Sequence, residues 1–124
     1  MGLDMYLFKR EKGNENDEAL HEVAYWRKAN QIRSWFARAT HIENCELAPV
    51  TKEMLVQLSQ ECKAVLKHHD LAESLLPTSN GFFFGSQEYG EWYFGDLEET
   101  VEMLSSVIST TDWEREDVYY YEWW

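Results

Sequence analysis

The sequence predicts a small α+β domain, in which a mixed or antiparallel sheet including the N- and C-terminal strands packs with about three helices. Three observations predict it. Leu3, Met5 and Leu7 alternate with Asp4, Tyr6 and Phe8 at the two-residue period of a strand. The closing VYYYEWW, residues 118–124, has high strand propensity and is too aromatic to be left undocked, so it is expected to join the same sheet. Between these two segments, apolar residues recur at helical spacing in three separate stretches. With 124 residues, 44% hydrophobic and 15% aromatic, residues 1–124 are expected to form one domain whose core needs no covalent staples.

After the first strand, Leu3–Lys9, the polar GNENDE reads as a loop. His21–Tyr25 fits either a second strand or the first turns of a helix. A helix starting near Arg27 is carried by Trp26, Ala29, Ile32 or Arg33, and Phe36, with Arg27, Lys28, Arg33 and Arg38 on its other faces. Residues 40–49 are irregular, with a short edge strand over Cys45–Ala48. Thr51 then caps a second helix, Val50 and Leu55 occupy its staple positions, and Glu53 complements the first-turn dipole. Met54, Leu55, Leu58, Cys62, Val65 and Leu66 form its apolar face. Lys67, His68 and His69 close it, and Leu71–Leu76 adds a short helix that Pro77 ends.

The stretch Gly81–Asp96 packs seven aromatics and four glycines into sixteen residues. Phe82–Phe84 and Trp92–Phe94 read as the strands of a hairpin, with Gly85, Ser86 and Gly90 in the turn and Tyr89 at its tip. A competing reading starts the following helix at Glu91, because Phe94, Leu97, Val101, Leu104 and Ile108 keep helical spacing. Gly95 weighs against it, since an interior glycine costs about 1 kcal/mol relative to alanine. On the hairpin reading, Asp96 and Glu99 stand at the N-cap and N3 positions of the third helix. The glycines match no phosphate-cradling spacing.

Charge divides the chain. Residues 1–69 hold ten acids and ten Lys/Arg, whereas residues 70–124 hold thirteen acids and one base, Arg115, and thirteen of the nineteen aromatics. The net charge of −12 therefore belongs to the second segment. Such a field repels nucleic acid and favours a basic partner. The basic helix around Arg33 offers a bland alternative, pairing with the acidic segment inside the molecule. No apolar run approaches the length of a membrane span, and MGLDMYLFKR lacks the apolar core of a signal peptide, so the expected compartment is the cytoplasm. Cys45 and Cys62 form no CxxC pair and are expected to be unpaired thiols. His68, His69 and Asp70 are adjacent at a helix end and point different ways, which argues against a metal site. No catalytic set and no cofactor motif emerges, and the enzyme question leans towards no.

MGLDMYL at 1–7, EVAYWRKANQIRSWF at 22–36, GFFFGSQEYGEWYFGDL at 81–97 and the terminal VYYYEWW together resemble a largely uncharacterised group of small bacteriophage and prophage proteins. The resemblance implies a phage or prophage setting in a bacterial host cell and brings no catalytic residues with it. Two functions compete. The first is an acidic interaction protein that binds and inhibits a host or defence protein, nucleic-acid-binding proteins among the candidates, as anti-CRISPR-like or DNA-mimicking proteins do. Its contact residues would be Glu98, Glu99, Glu102, Asp112, Glu114, Glu116 and Asp117, with Tyr89 and Trp92 as apolar anchors. The second is a small enzyme or ligand-binding domain with a pocket beside the aromatic hairpin. A convex acidic surface favours the first and a deep pocket with convergent polar groups the second. Neither charge nor pattern specifies an oligomeric state or a strand order.

Overall fold

The two strands nearest the ends of the chain form the centre of the sheet. In the computed structural model, which describes residues 2–42, 46–79 and 88–124, β1 (Asp4–Glu11) pairs antiparallel with β4 (Glu116–Trp123) along its whole length, from Asp4 opposite Trp123 to Glu11 opposite Glu116. The flanking strands β2 (His21–Arg27) and β3 (Ala48–Val50) complete the antiparallel order β2-β1-β4-β3. A register shift beside Leu7 and Phe8 leaves Val23 as an extra residue in β2. Among the described residues, three long α-helices and one short one accompany the sheet: α1 (Asn30–Thr40), α2 (Lys52–Lys67), α3 (Ala72–Leu75) and α4 (Glu91–Thr110). The fold is α+β, as the sequence predicts.

Strand alternation gives the sheet two different faces. Leu3, Met5, Leu7, Val118 and Tyr120 point inward and are fully or almost fully buried against the helices. Phe36 of α1 stacks on Tyr120 at 4.1 Å, and the Trp26 indole donates to the Thr100 hydroxyl of α4 at 2.8 Å. Tyr6, Phe8, Tyr25, Tyr119, Tyr121 and Trp123 point to the other face, where they remain partly or largely exposed. Tyr6 is in ring contact with Phe8, Tyr25 and Tyr121 there, at 5.2 to 6.1 Å.

Several boundaries differ from the sequence reading. His21–Arg27 is a strand, Trp26 belongs to it, and α1 starts at Asn30 instead of near Arg27. Lys28 sits between the two elements in the left-handed region, φ 56°, with its N–H bonded to Leu3 O. That tight corner stops the strand and frees Ala29, Ile32 and Phe36 to start a new apolar face. The short edge strand runs over Ala48–Val50 instead of Cys45–Ala48, and Cys45 lies outside the described residues. Thr51 does cap α2, accepting from Met54 N, and Val50 and Leu55 are both buried as staple partners.

The hairpin is overturned in its second half. Phe82–Phe84 lie outside the described residues, but Trp92, Tyr93 and Phe94 are helical, because α4 begins at Glu91 with Gly90 as its N-cap. Tyr93, Leu97, Thr100, Leu104 and Val107 are the buried residues of one continuous stripe, and extending it by a turn to bury Tyr93 outweighs the glycine penalty at Gly95. Asp96 and Glu99 are therefore interior to the helix and cap nothing.

Candidate functional site

The α4 helix sorts its own residues by periodicity. Each residue turns the helix by about 100°, so the stripe from Tyr93 to Val107 enters the core while Trp92, Glu98, Glu99 and Glu102 point away. All four are exposed, and among the described residues Trp92 is the most exposed large apolar one at 80%. Trp92 and Glu99 stand seven residues apart, nearly two full turns, and so lie along one line of the helix surface. Among the described residues, Glu98, Glu99 and Glu102 have no cation within ion-pair distance. They also lie beyond the first turn, where the helix dipole no longer favours an acid. Spacings of three and four residues set the like charges of Glu99 and Glu98 beside Glu102, which weakens the helix by a few tenths of a kcal/mol per pair.

The remaining acids are used differently. Asp112 Oδ1 accepts from Glu114 N at 3.2 Å, and Glu116 Oε1 accepts from Asp112 N at 2.9 Å, so these carboxylates shape the turn from α4 into β4. Glu116 lies 3.6 Å from Lys9 Nζ, Asp117 pairs with Lys12, and Asp112 is 3.8 Å from Arg115. The acidic candidates thus fall into two sets, an unpaired one on α4 and a largely internal one beyond its end. Tyr89 is only partly exposed, since its ring packs on Tyr93 at 5.0 Å and its hydroxyl accepts from Thr78 N at 3.2 Å. The basic helix pairs with the acidic segment through Arg33 and Glu122 at 3.1 Å.

A cleft of about 240 Å³ opens at the start of α4, lined by Arg27, Lys28, Gln31, Glu88, Trp92, Tyr93 and Asp96. The Gln31 amide, itself buried, donates to Tyr93 O and to Asp96 Oδ2, both at 3.3 Å. Burial pushes the Asp96 carboxyl up to about 6, the Gln31 hydrogen bond works against that, and the charge of Glu99 adds to it. Sequence reasoning missed this cleft. Treating Asp96 as a cap hid its place one turn beyond Trp92 in the same helix, where the competing reading from Glu91, carried by the spacing from Phe94 to Ile108, puts it.

Glu122 was missed as well. Its side chain is fully buried, held by Arg33, by the Tyr120 hydroxyl at 2.8 Å and by the Trp124 indole at 2.9 Å. Cys62 is free and buried, and burial raises its thiol to about 12, far from a reactive thiolate. Among the described residues, no group of three His, Cys, Asp or Glu converges on a metal position, and no helix is long and apolar enough to cross a membrane. His69 instead stacks on Phe94 at 3.8 Å. Compared with models of known protein families, with curated proteins and with solved structures, the chain matches none.

Proposed function

We propose that this protein binds a basic protein partner through the exposed face of α4, where Glu98, Glu99 and Glu102 meet cations that ordinarily contact nucleic-acid phosphates and Trp92 supplies the apolar anchor. One observation carries the reading. Three exposed carboxylates that neither ion pairs nor their own helix use lie on the solvent side of the helix that carries an indole the core leaves out, Glu99 in line with it. Tryptophan is the residue type most enriched at binding hot spots, and unpaired charge around it steers association with a partner of opposite sign. Asp112 and Glu114 extend the acidic surface past the helix end, with Tyr89 at its other end. Glu116 and Asp117, engaged with Lys9 and Lys12, stay out of the contact. The setting we propose is the cytoplasm of a phage-infected or lysogenic bacterium, where occupying the nucleic-acid surface of a host or defence protein inhibits it.

Capture from bacterial lysate at ~0.05 M and ~0.5 M salt tests the reading, because the higher salt shortens the screening length below ~5 Å. A partner should be retained only at low salt, and DNA or RNA should displace it. Replacing Glu98, Glu99 and Glu102 together by Gln, or Trp92 by Ala, should weaken binding by about tenfold or more. The triple variant should melt no lower than the parent, since none of the three caps the helix. A partner indifferent to salt, to these substitutions and to nucleic acid sinks the proposal.

The Asp96 cleft favours a second reading, a small ligand-binding domain or enzyme, because a raised carboxyl in a cleft is a frequent mark of a site. Its volume falls short of the roughly 300–1,000 Å³ of typical ligand pockets, which puts it second.

A further inference from the structure

The cleft at the start of α4 holds opposite charges that do not meet. We propose that it binds a small zwitterion of the amino-acid class, with Arg27 and Lys28 taking the carboxylate, Asp96 the ammonium and Trp92 the apolar part. This ligand class rests on the cleft reading of the function and is independent of the acidic face of α4. Three observations carry it.

The first is charge. Among the described residues, no ion pair joins Arg27 or Lys28 to Asp96, to Glu88 or to another acid, although all four line the same cleft. Burial raises the Asp96 carboxyl, the Gln31 hydrogen bond opposes this and Glu99 adds to it, and neither cation offsets the rise. The cations come from the corner between β2 and α1 and the acid from α4, so opposite signs border one space from different elements. A ligand carrying both signs satisfies both borders. A simple anion is left facing Asp96, and a simple cation is left facing Arg27 and Lys28.

The second is construction. Gln31, only 2% exposed, fixes Asp96 by donating to Oδ2 at 3.3 Å, and among the described residues Oδ1 accepts no hydrogen bond. Lys28 holds a left-handed backbone, φ 56°, where glycine would be less strained, and its N–H is tied to Leu3 O at 2.8 Å. The acid and the corner that carries the cations are thus both in place before a ligand arrives.

The third is size and surface. A volume of about 240 Å³ lies below the roughly 300–1,000 Å³ of drug-sized sites and suits a short body between two charged ends. Trp92 precedes Asp96 by four residues, so its indole lies one turn away on the same side of the helix. An ammonium at Asp96 has that ring beside it, where cation–π attraction adds to the ion pair.

Calorimetric titration with free phenylalanine, leucine and methionine in ~0.05 M salt tests the proposal. At least one should bind with a dissociation constant below ~1 mM. Its amide, which lacks the carboxylate, and its N-acetyl form, which lacks the ammonium, should each bind about tenfold or more weakly. Asp96→Asn should erase the advantage of the free amino acid over the N-acetyl form. Arg27→Gln combined with Lys28→Gln should erase its advantage over the amide. Both cations are exposed, so this second variant keeps the test open should Asp96→Asn fold poorly. Trp92→Ala should weaken all three forms. Glu98→Gln combined with Glu102→Gln should leave them unchanged while weakening partner capture through α4, so the two readings fail separately. No binding by any of the three amino acids overturns the proposal. Amide and N-acetyl forms that bind as well as the free amino acid overturn it too, as does a preference that survives substitution of the matching end.

Discussion

Asp96 and Glu122 are both carboxylates held away from water, and their partners differ. Asp96 receives one long hydrogen bond from a neutral amide, so burial prevails and its carboxyl rises from 3.8 to about 6. The folded chain holds that proton more tightly than the unfolded chain, so ionising Asp96 weakens the fold. The penalty is absent below pH about 4 and complete above about 6. Asp96→Asn should therefore stabilise the protein at neutral pH by on the order of 1 kcal/mol, a figure reduced for partial exposure. Urea melts should show that advantage shrinking as pH falls from 6 to 4, and an advantage constant with pH would mean the carboxyl is not raised. Glu122 has the Arg33 guanidinium, a phenol and an indole around it. Removing the cation strands a buried charge, so Arg33→Met should cost about 3 kcal/mol or more in the same melts. A loss under 1 kcal/mol would show that water reaches Glu122.

At the level of elements, legibility followed the length of the repeating pattern. β1, α2 and β4 were legible because period, cap and staple agreed over many residues, as at Val50, Thr51 and Leu55. α4 was legible from Leu97 onward on either reading, and its start at Glu91 only on the competing one. Its first turns, Glu91–Asp96, carry strand-forming aromatics and a glycine, and local propensity there opposes the tertiary gain of burying Tyr93. The same conflict misplaced the start of α1, since Trp26 fits a helical spacing with Ala29 yet is held in β2 by its pairing opposite Met5. Of the candidate site, exposed Trp92 and the α4 acids could be named from sequence. The division between unpaired and internal carboxylates could not, because Lys9 and Lys12 reach Glu116 and Asp117 across more than a hundred residues. The stripe itself has a direct check. Leu104 is fully buried in it, and Leu104→Ala should destabilise by roughly 2–4 kcal/mol. A thermal melt matching the parent would remove Leu104 from the core.

For the whole molecule, the −12 charge acts as a distributed strain that no single residue carries. Screening should relieve it, so the melting temperature should rise between ~0.01 M and ~0.2 M sodium chloride, as the Debye length falls from ~30 Å to below ~10 Å. A fall would mean that attractive pairs such as Arg33 with Glu122 outweigh the repulsion. The placement of β1 and β4 side by side has a different consequence, one of timing. Every residue of β1 leaves the ribosome more than a hundred residues before the strand that completes its hydrogen-bond ladder. Until residues 116–123 emerge, the chain can form β2 against β1 but offers Leu3, Met5 and Leu7 a half-built sheet with one open edge. The ladder of β1 with β4 therefore closes only after residues 116–123 are made, and a chain cut short before them should be exposed to chaperones and proteases instead of forming a smaller working domain.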